Sequence, residues 1–201
     1  MAENELEVIV AGTGRVPVPM PRTLNEQLSL AAVLMKGGAV PAHLKTPEAV
    51  VMVMQSGAEI GMRPVASLRM HAVIQGKVTL SADGMVAAVM GSGLAEYFQP
   101  LEITGDSATY VTKRKGSPHE VKSTFTMAQA KQAGLASNAN YAKYPERMLS
   151  ARAKSFLARD VYPDVLGGML STEEAIDITP EPEPRGTREP IRQPERIIEA
   201  Q

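Results

Sequence analysis

The sequence predicts an α+β protein: N-terminal helices and a β-hairpin, then a three-stranded antiparallel meander packed on a long basic helix. Three observations carry this. Apolar residues in the first part of the chain recur at helical spacing between glycine stops. Three strand-like runs separated by short Gly/Asp/Ser/Pro turns follow. After them, YPERMLSARAKSFLARDVY runs without a breaker after its proline until Pro163.

Residues 1–22 end in Val16-Pro17-Val18-Pro19-Met20-Pro21, and alternating prolines predict an extended arm. Asn25 is the expected cap of a helix ending at Lys36, before Gly37-Gly38. Thr46-Pro47-Glu48 reads as cap, first-turn proline and first-turn acid of an apolar helix to Gln55. Arg63-Pro64 opens another short helix. Met70–Ile74 and Lys77–Leu80 flank Gln75-Gly76, a hairpin signal. Ser81 caps a helix from Ala82 to Met90. The meander is expected at Tyr97–Thr104, Ala108–Lys113 and Glu120–Thr126. A helix from Met127 to Ala133, a polar loop from Leu135 to Ala142 and a helix from Pro145 to about Asp160 complete a core spanning residues 23–177. The segment 178–201, rich in proline and charge, is expected to be disordered.

Of 201 residues, 44% are hydrophobic, enough for one domain with a core. No run approaches the roughly eighteen apolar residues of a membrane span. The acidic start is not a secretory signal, and with no cysteine this suggests a cytoplasmic protein. His43, His71 and His119 lack ligand spacing, so no metal site is expected. There is no G-x-x-x-x-G-K-[ST] loop for ATP and no carboxylate cluster for two metals, so no cofactor and no enzyme activity are expected.

The net charge of -1 hides an asymmetry. Between Lys113 and Arg159 lie ten Lys and Arg residues against Glu120 and Glu146, a local +8, so the rest of the chain sums to -9. Such an excess is the footprint of a polyanion partner, or else an ordinary solvated face.

A helical wheel at about 100° per residue sorts the long helix. Leu149, Ala153, Phe156 and Leu157 share the expected core arc. Arg147 aligns with Lys154, and Arg152 with Arg159, as two basic rows flanking that arc. Met148, Ala151, Ser155 and Ala158 lie between the rows, away from the core. Small side chains there would let a polynucleotide backbone approach while four cations neutralise phosphates. Tyr141 and Tyr144, with Lys143 between them, precede the helix and would stack on unpaired bases, which points to single strands. Tyr144 before Pro145 reads equally as a hydrophobic staple. The turn Lys113-Arg114-Lys115 is a further DNA contact or an ordinary solvated turn.

Four segments in order, VPAHLKTPEAVVMVMQSGAEIGMRP, VIQGKVTLSAD, FTMAQAKQAGL and YPERMLSARAKSFLARDVYPDVLGG, resemble the RecT family of phage single-strand annealing proteins and, more distantly, lambda Red beta. The resemblance runs from about Leu24 to Asp177. It implies a β-meander on a long helix, and binding of single-stranded DNA. It also implies ATP-independent annealing by rings or helical filaments in phage-type recombination in a bacterial host. By resemblance Tyr141, Arg147, Arg152, Lys154 and Arg159 contact DNA, and Lys77 is a weaker carry-over. Glu146 departs from a lysine in the lambda relative. The tail after Asp177 is shorter than in members with a C-terminal partner domain, so docking of a phage exonuclease or host single-strand-binding protein stays open. A passive single-strand-binding protein, or a structural oligomer whose basic groove holds another protein, are the other readings of the same residues.

Overall fold

A computed structural model describes residues 21–178. The expected arm, up to residue 20, and the expected tail from Thr179 lie outside the described residues. The element order is α1 (Leu24–Lys36), α2 (Pro47–Glu59), α3 (Pro64–Met70), β1 (His71–Ile74), β2 (Lys77–Leu80) and α4 (Ala82–Gly91). There follow β3 (Ala95–Ile103), β4 (Ser107–Arg114), β5 (Val121–Thr126), α5 (Met127–Gln132), α6 (Ala139–Lys143), α7 (Pro145–Val161), α8 (Pro163–Leu166) and α9 (Thr172–Ile178). The predicted α+β class is observed.

Local chemistry explains most boundaries. Thr23, not Asn25, caps α1, because Thr23 and Glu26 form a reciprocal capping box that Asn25 has no partner to match. Thr46 accepts from the Ala49 amide, with Pro47 opening α2; that helix runs to Glu59, a turn past the expected Gln55. In the β1–β2 turn Gln75 (φ 49°) and Gly76 (φ 76°) are both left-handed, the backbone of a type I′ hairpin. Ser81 caps α4 through the Gly84 amide. The expected polar loop from Leu135 to Ala142 is instead a 3-10 turn, Leu135–Ser137, followed by α6. Asn138 caps α6 by accepting from the Asn140 amide, a local signal that its polarity concealed.

The meander has the order β3-β4-β5, all antiparallel. Strand β3 carries irregularities between Ala95 and Tyr97 and between Pro100 and Glu102, at an edge where Pro100 costs no central ladder bond. One face of the sheet packs on α7: Ala108, Tyr110 and Phe125 join Leu149, Ala153 and Leu157 in one apolar cluster. Polar contacts pin the pair. The Tyr110 hydroxyl meets Ser150 Oγ at 2.8 Å, and the Thr112 hydroxyl meets that of the fully buried Tyr162 at 2.7 Å.

A second cluster joins the other side of α7 to α4 and α8, with Ala158 and Tyr162 against Met85, Ala88, Val89 and Leu166. A third fills α1–α3 with Ala31, Val50, Val53, Met54 and Leu68. There α2 and α3 approach closely at Gly57: a Cβ on it would lie 1.8 Å from Ser67 Oγ and 2.5 Å from Ser67 Cβ. Among the described residues no helix is long and apolar enough to cross a membrane.

Gly57→Ala is therefore expected to lower stability by about 1–3 kcal/mol through overpacking, read as a shift of the denaturation midpoint. Ser67→Gly in the same chain should recover part of that loss, and Gly57→Ala without effect would mean the helices lie further apart than described.

Candidate nucleic-acid interface

Helix α7 sets the site, because it is covered on two sides. The predicted core arc packs on the sheet as expected. The predicted outer face does not face outward: Ser155 and Ala158 are fully buried, and Ala151 and Met148 are half-buried. Their small side chains let a helix approach closely, not a polynucleotide, since Ala158 packs with Met85, Ala88 and Val89 of α4.

The basic rows are correspondingly committed inside the chain. Arg152 is 5% exposed, and its Nη2 donates to the Glu173 carbonyl of α9 at 3.2 Å. Arg159 Nη1 meets Glu174 Oε1 at 2.6 Å, and Glu174 is itself buried. Lys154 bonds the Asp83 carboxylate of α4, and its ammonium stands 5.8 Å from the Tyr110 ring centroid. Only Arg147, of the four row residues, is exposed with no ion pair among the described residues.

The basic turn divides in the same way. Lys113 pairs with Glu96 at 3.0 Å. Arg114 grips Asp164 through both terminal nitrogens, at 2.8 and 2.6 Å, donates to the Val161 carbonyl at 2.9 Å and lies 5.4 Å from the Tyr162 ring centroid. That fork holds the Asp164 carboxyl down at about 2 and raises the guanidinium. Lys115 is exposed in the β4–β5 turn, and Lys77 is exposed at the start of β2, on the far side of the hairpin turn.

Of the two tyrosines, Tyr141 is 3% exposed in the sheet–α7 cluster, and its buried hydroxyl has no hydrogen-bond partner among the described residues. It is a core residue and cannot stack on a base. Tyr144 is 60% exposed at the corner between α6 and α7. Lys143 and Arg147 are exposed on either side of it, and Glu146 is exposed in the same turn. The predicted residues thus separate into a corner that stays open (Lys143, Tyr144, Arg147), two isolated turn lysines, and six side chains absorbed by the fold.

Missed by sequence were the acids that answer the basic region. Asp83, Glu96, Asp164 and Glu174 all lie outside the Lys113–Arg159 window, so the local +8 counted cations without the partners that fold onto them. For Glu174 a signal was present: Ser171-Thr172-Glu173-Glu174 is a capping-box pattern, and Ser171 Oγ accepts from the Glu174 amide while Glu174 Oε2 accepts from the Ser171 amide. Two tyrosine hydroxyls, Tyr110 and Tyr162, also proved central to positioning α7.

The chain matches no protein-family model, and no curated protein matches it.

Arg152→Ala should destabilise the fold by about 2–4 kcal/mol, as expected for removing a buried cation and orphaning its acceptor, while Arg147→Ala stays within about 0.5 kcal/mol. Denaturant titration of the two variants checks this. The Asp164 carboxyl should titrate near 2 by NMR and return toward its ordinary value of 3.8 in Arg114→Ala. Because its folded value is depressed, the stabilisation is present above the unfolded value and is lost as pH falls through about 2.

Proposed function

We propose that the protein binds single-stranded DNA and anneals complementary strands without a nucleotide cofactor, as an oligomeric ring or helical filament of the RecT type. The observation that carries the reading is the corner between α6 and α7. In a basic region whose other α7 cations are occupied, it leaves an exposed ring, Tyr144, flanked by two exposed cations, Lys143 and Arg147. Cations on either side of an aromatic face suit a strand whose bases are unpaired: phosphates are neutralised while a base lies on the ring. A duplex does not offer that face. Glu146, exposed in the same turn, subtracts from the positive charge of the corner.

The four-segment resemblance supports the annealing part and the meander on a long helix agrees with it, but the contacts move. Arg152, Lys154, Arg159 and Tyr141 serve the fold, and the exposed corner takes the DNA role first given to the rows. Asp83, Glu96, Asp164 and Glu174 are paired within their own chain, so contacts between subunits of a ring or filament use other surfaces.

Mixing labelled complementary oligonucleotides with the protein, in the absence of nucleotide, tests this directly. Faster pairing than in buffer alone, with particles larger than a monomer by mass photometry, is the expected result. Binding without acceleration would leave a passive single-strand-binding protein instead. The double substitution Lys143→Ala/Arg147→Ala should keep native helix content, weaken binding and reduce the salt slope by about two contacts. An unchanged slope in the folded variant would remove the corner from the site.

A further inference from the structure

Helix α9 lies over the two arginines of one α7 row and supplies an oxygen acceptor to each. The Glu173 carbonyl meets Arg152 Nη2, and the Glu174 carboxylate meets Arg159 Nη1. Seven residues apart on one helix, the two guanidiniums point along the same line. Carbonyl and carboxylate oxygens are the acceptors by which a protein segment imitates phosphate oxygens. The exposed corner and this covered row belong to the same helix.

The strap that carries these acceptors begins at a pair of glycines. It leaves α8 through Gly167 (φ 57°) and Gly168 (φ 77°), consecutive left-handed residues that leave the chain free of side-chain restraint. Its Ser171, Glu174 and Ala175 are buried, and polar bonds tie it to the hairpin. The Leu80 amide donates to the Leu170 carbonyl at 3.1 Å, and the Thr79 and Thr172 hydroxyls meet at 3.1 Å. A seven-residue helix has little stability of its own and depends on such docking. The closed arrangement also carries a penalty, since Glu173 Oε2 is buried with no hydrogen-bond partner among the described residues. Segments held this way open at lower free energy than the core.

We propose that α9 is an autoinhibitory strap over a second phosphate-binding row, Arg152 and Arg159, which a polynucleotide strand occupies when the strap swings away at Gly167–Gly168. This rests on the single-strand-binding reading and extends it. A strand reaches this second row only by displacing Glu173 and Glu174. Binding is thereby weaker than the full set of cations permits, in proportion to the fraction of chains with the strap open.

Two variants test the strap against an oligo-dT single strand. Glu174→Gln keeps a capping side chain but removes the competing charge. It should tighten binding by about fivefold or more, the direction expected when the competent state becomes more populated. In Thr79→Cys/Thr172→Cys, the only cysteines of the chain form a reversible lock across the strap. The oxidised form should bind several-fold more weakly than the same protein reduced. Equal binding in both redox states, or unchanged or weaker binding by Glu174→Gln, overturns the strap while leaving single-strand binding in place. No binding of oligo-dT by the native chain and by either variant overturns both.

Discussion

The burial of α7 between a sheet and another helix constrains everything around it. A helix with three cations in its middle and last turns cannot be covered on two sides unless those cations are answered, because desolvating an unpaired charge costs more than the apolar contacts return. The fold answers them from two directions. Asp83 comes from α4, the Glu173 carbonyl and Glu174 from α9, and the Arg114–Asp164 fork closes the end where α7 passes into α8. The buried tyrosine hydroxyls do the same for the sheet side, with Tyr110 on Ser150 and Tyr162 on Thr112. The short helices α8 and α9 exist in this architecture as carriers of acceptors.

That constraint explains which parts were legible in the sequence. The capped helices, the Gln75-Gly76 hairpin and the meander were read within a few residues, because each has a local cause: a proline, a capping threonine or serine, a glycine turn. The apolar arc of α7 was legible for the same reason. Its opposite face was not, since Ala151, Ser155 and Ala158 are equally consistent with a polynucleotide backbone or with another helix lying against them. Small size states that something comes close and is silent on what it is. Charge misled in a related way. A window from Lys113 to Arg159 collects cations that are neighbours in sequence, while Asp83, Glu96, Asp164 and Glu174 become neighbours only on folding. Tyr141 and Tyr144, three residues apart, were indistinguishable as symbols; the turn of α6 buries one and leaves the other in solvent.

For function, the consequence is a division of labour along one helix. The N-terminal corner of α7 offers cations and a ring to solvent, and the rest of its positive charge is spent on holding the domain together. As the proposed strand-binding surface that corner is small, which places weight on repetition of subunits and on any cationic row the fold can uncover. The covered Arg152 and Arg159, on the same helix and held by α9, are the row proposed above to be uncovered.

The central claim, that the basic residues of α7 other than Arg147 are structural in the free protein, is tested most directly by heteronuclear NMR of the arginine side chains. The account predicts slow solvent exchange of the guanidinium protons of Arg152, Arg159 and Arg114, and fast exchange for Arg147. Exchange of Arg152 as fast as that of Arg147 would mean that α7 presents its stripe to solvent, and would contradict the account.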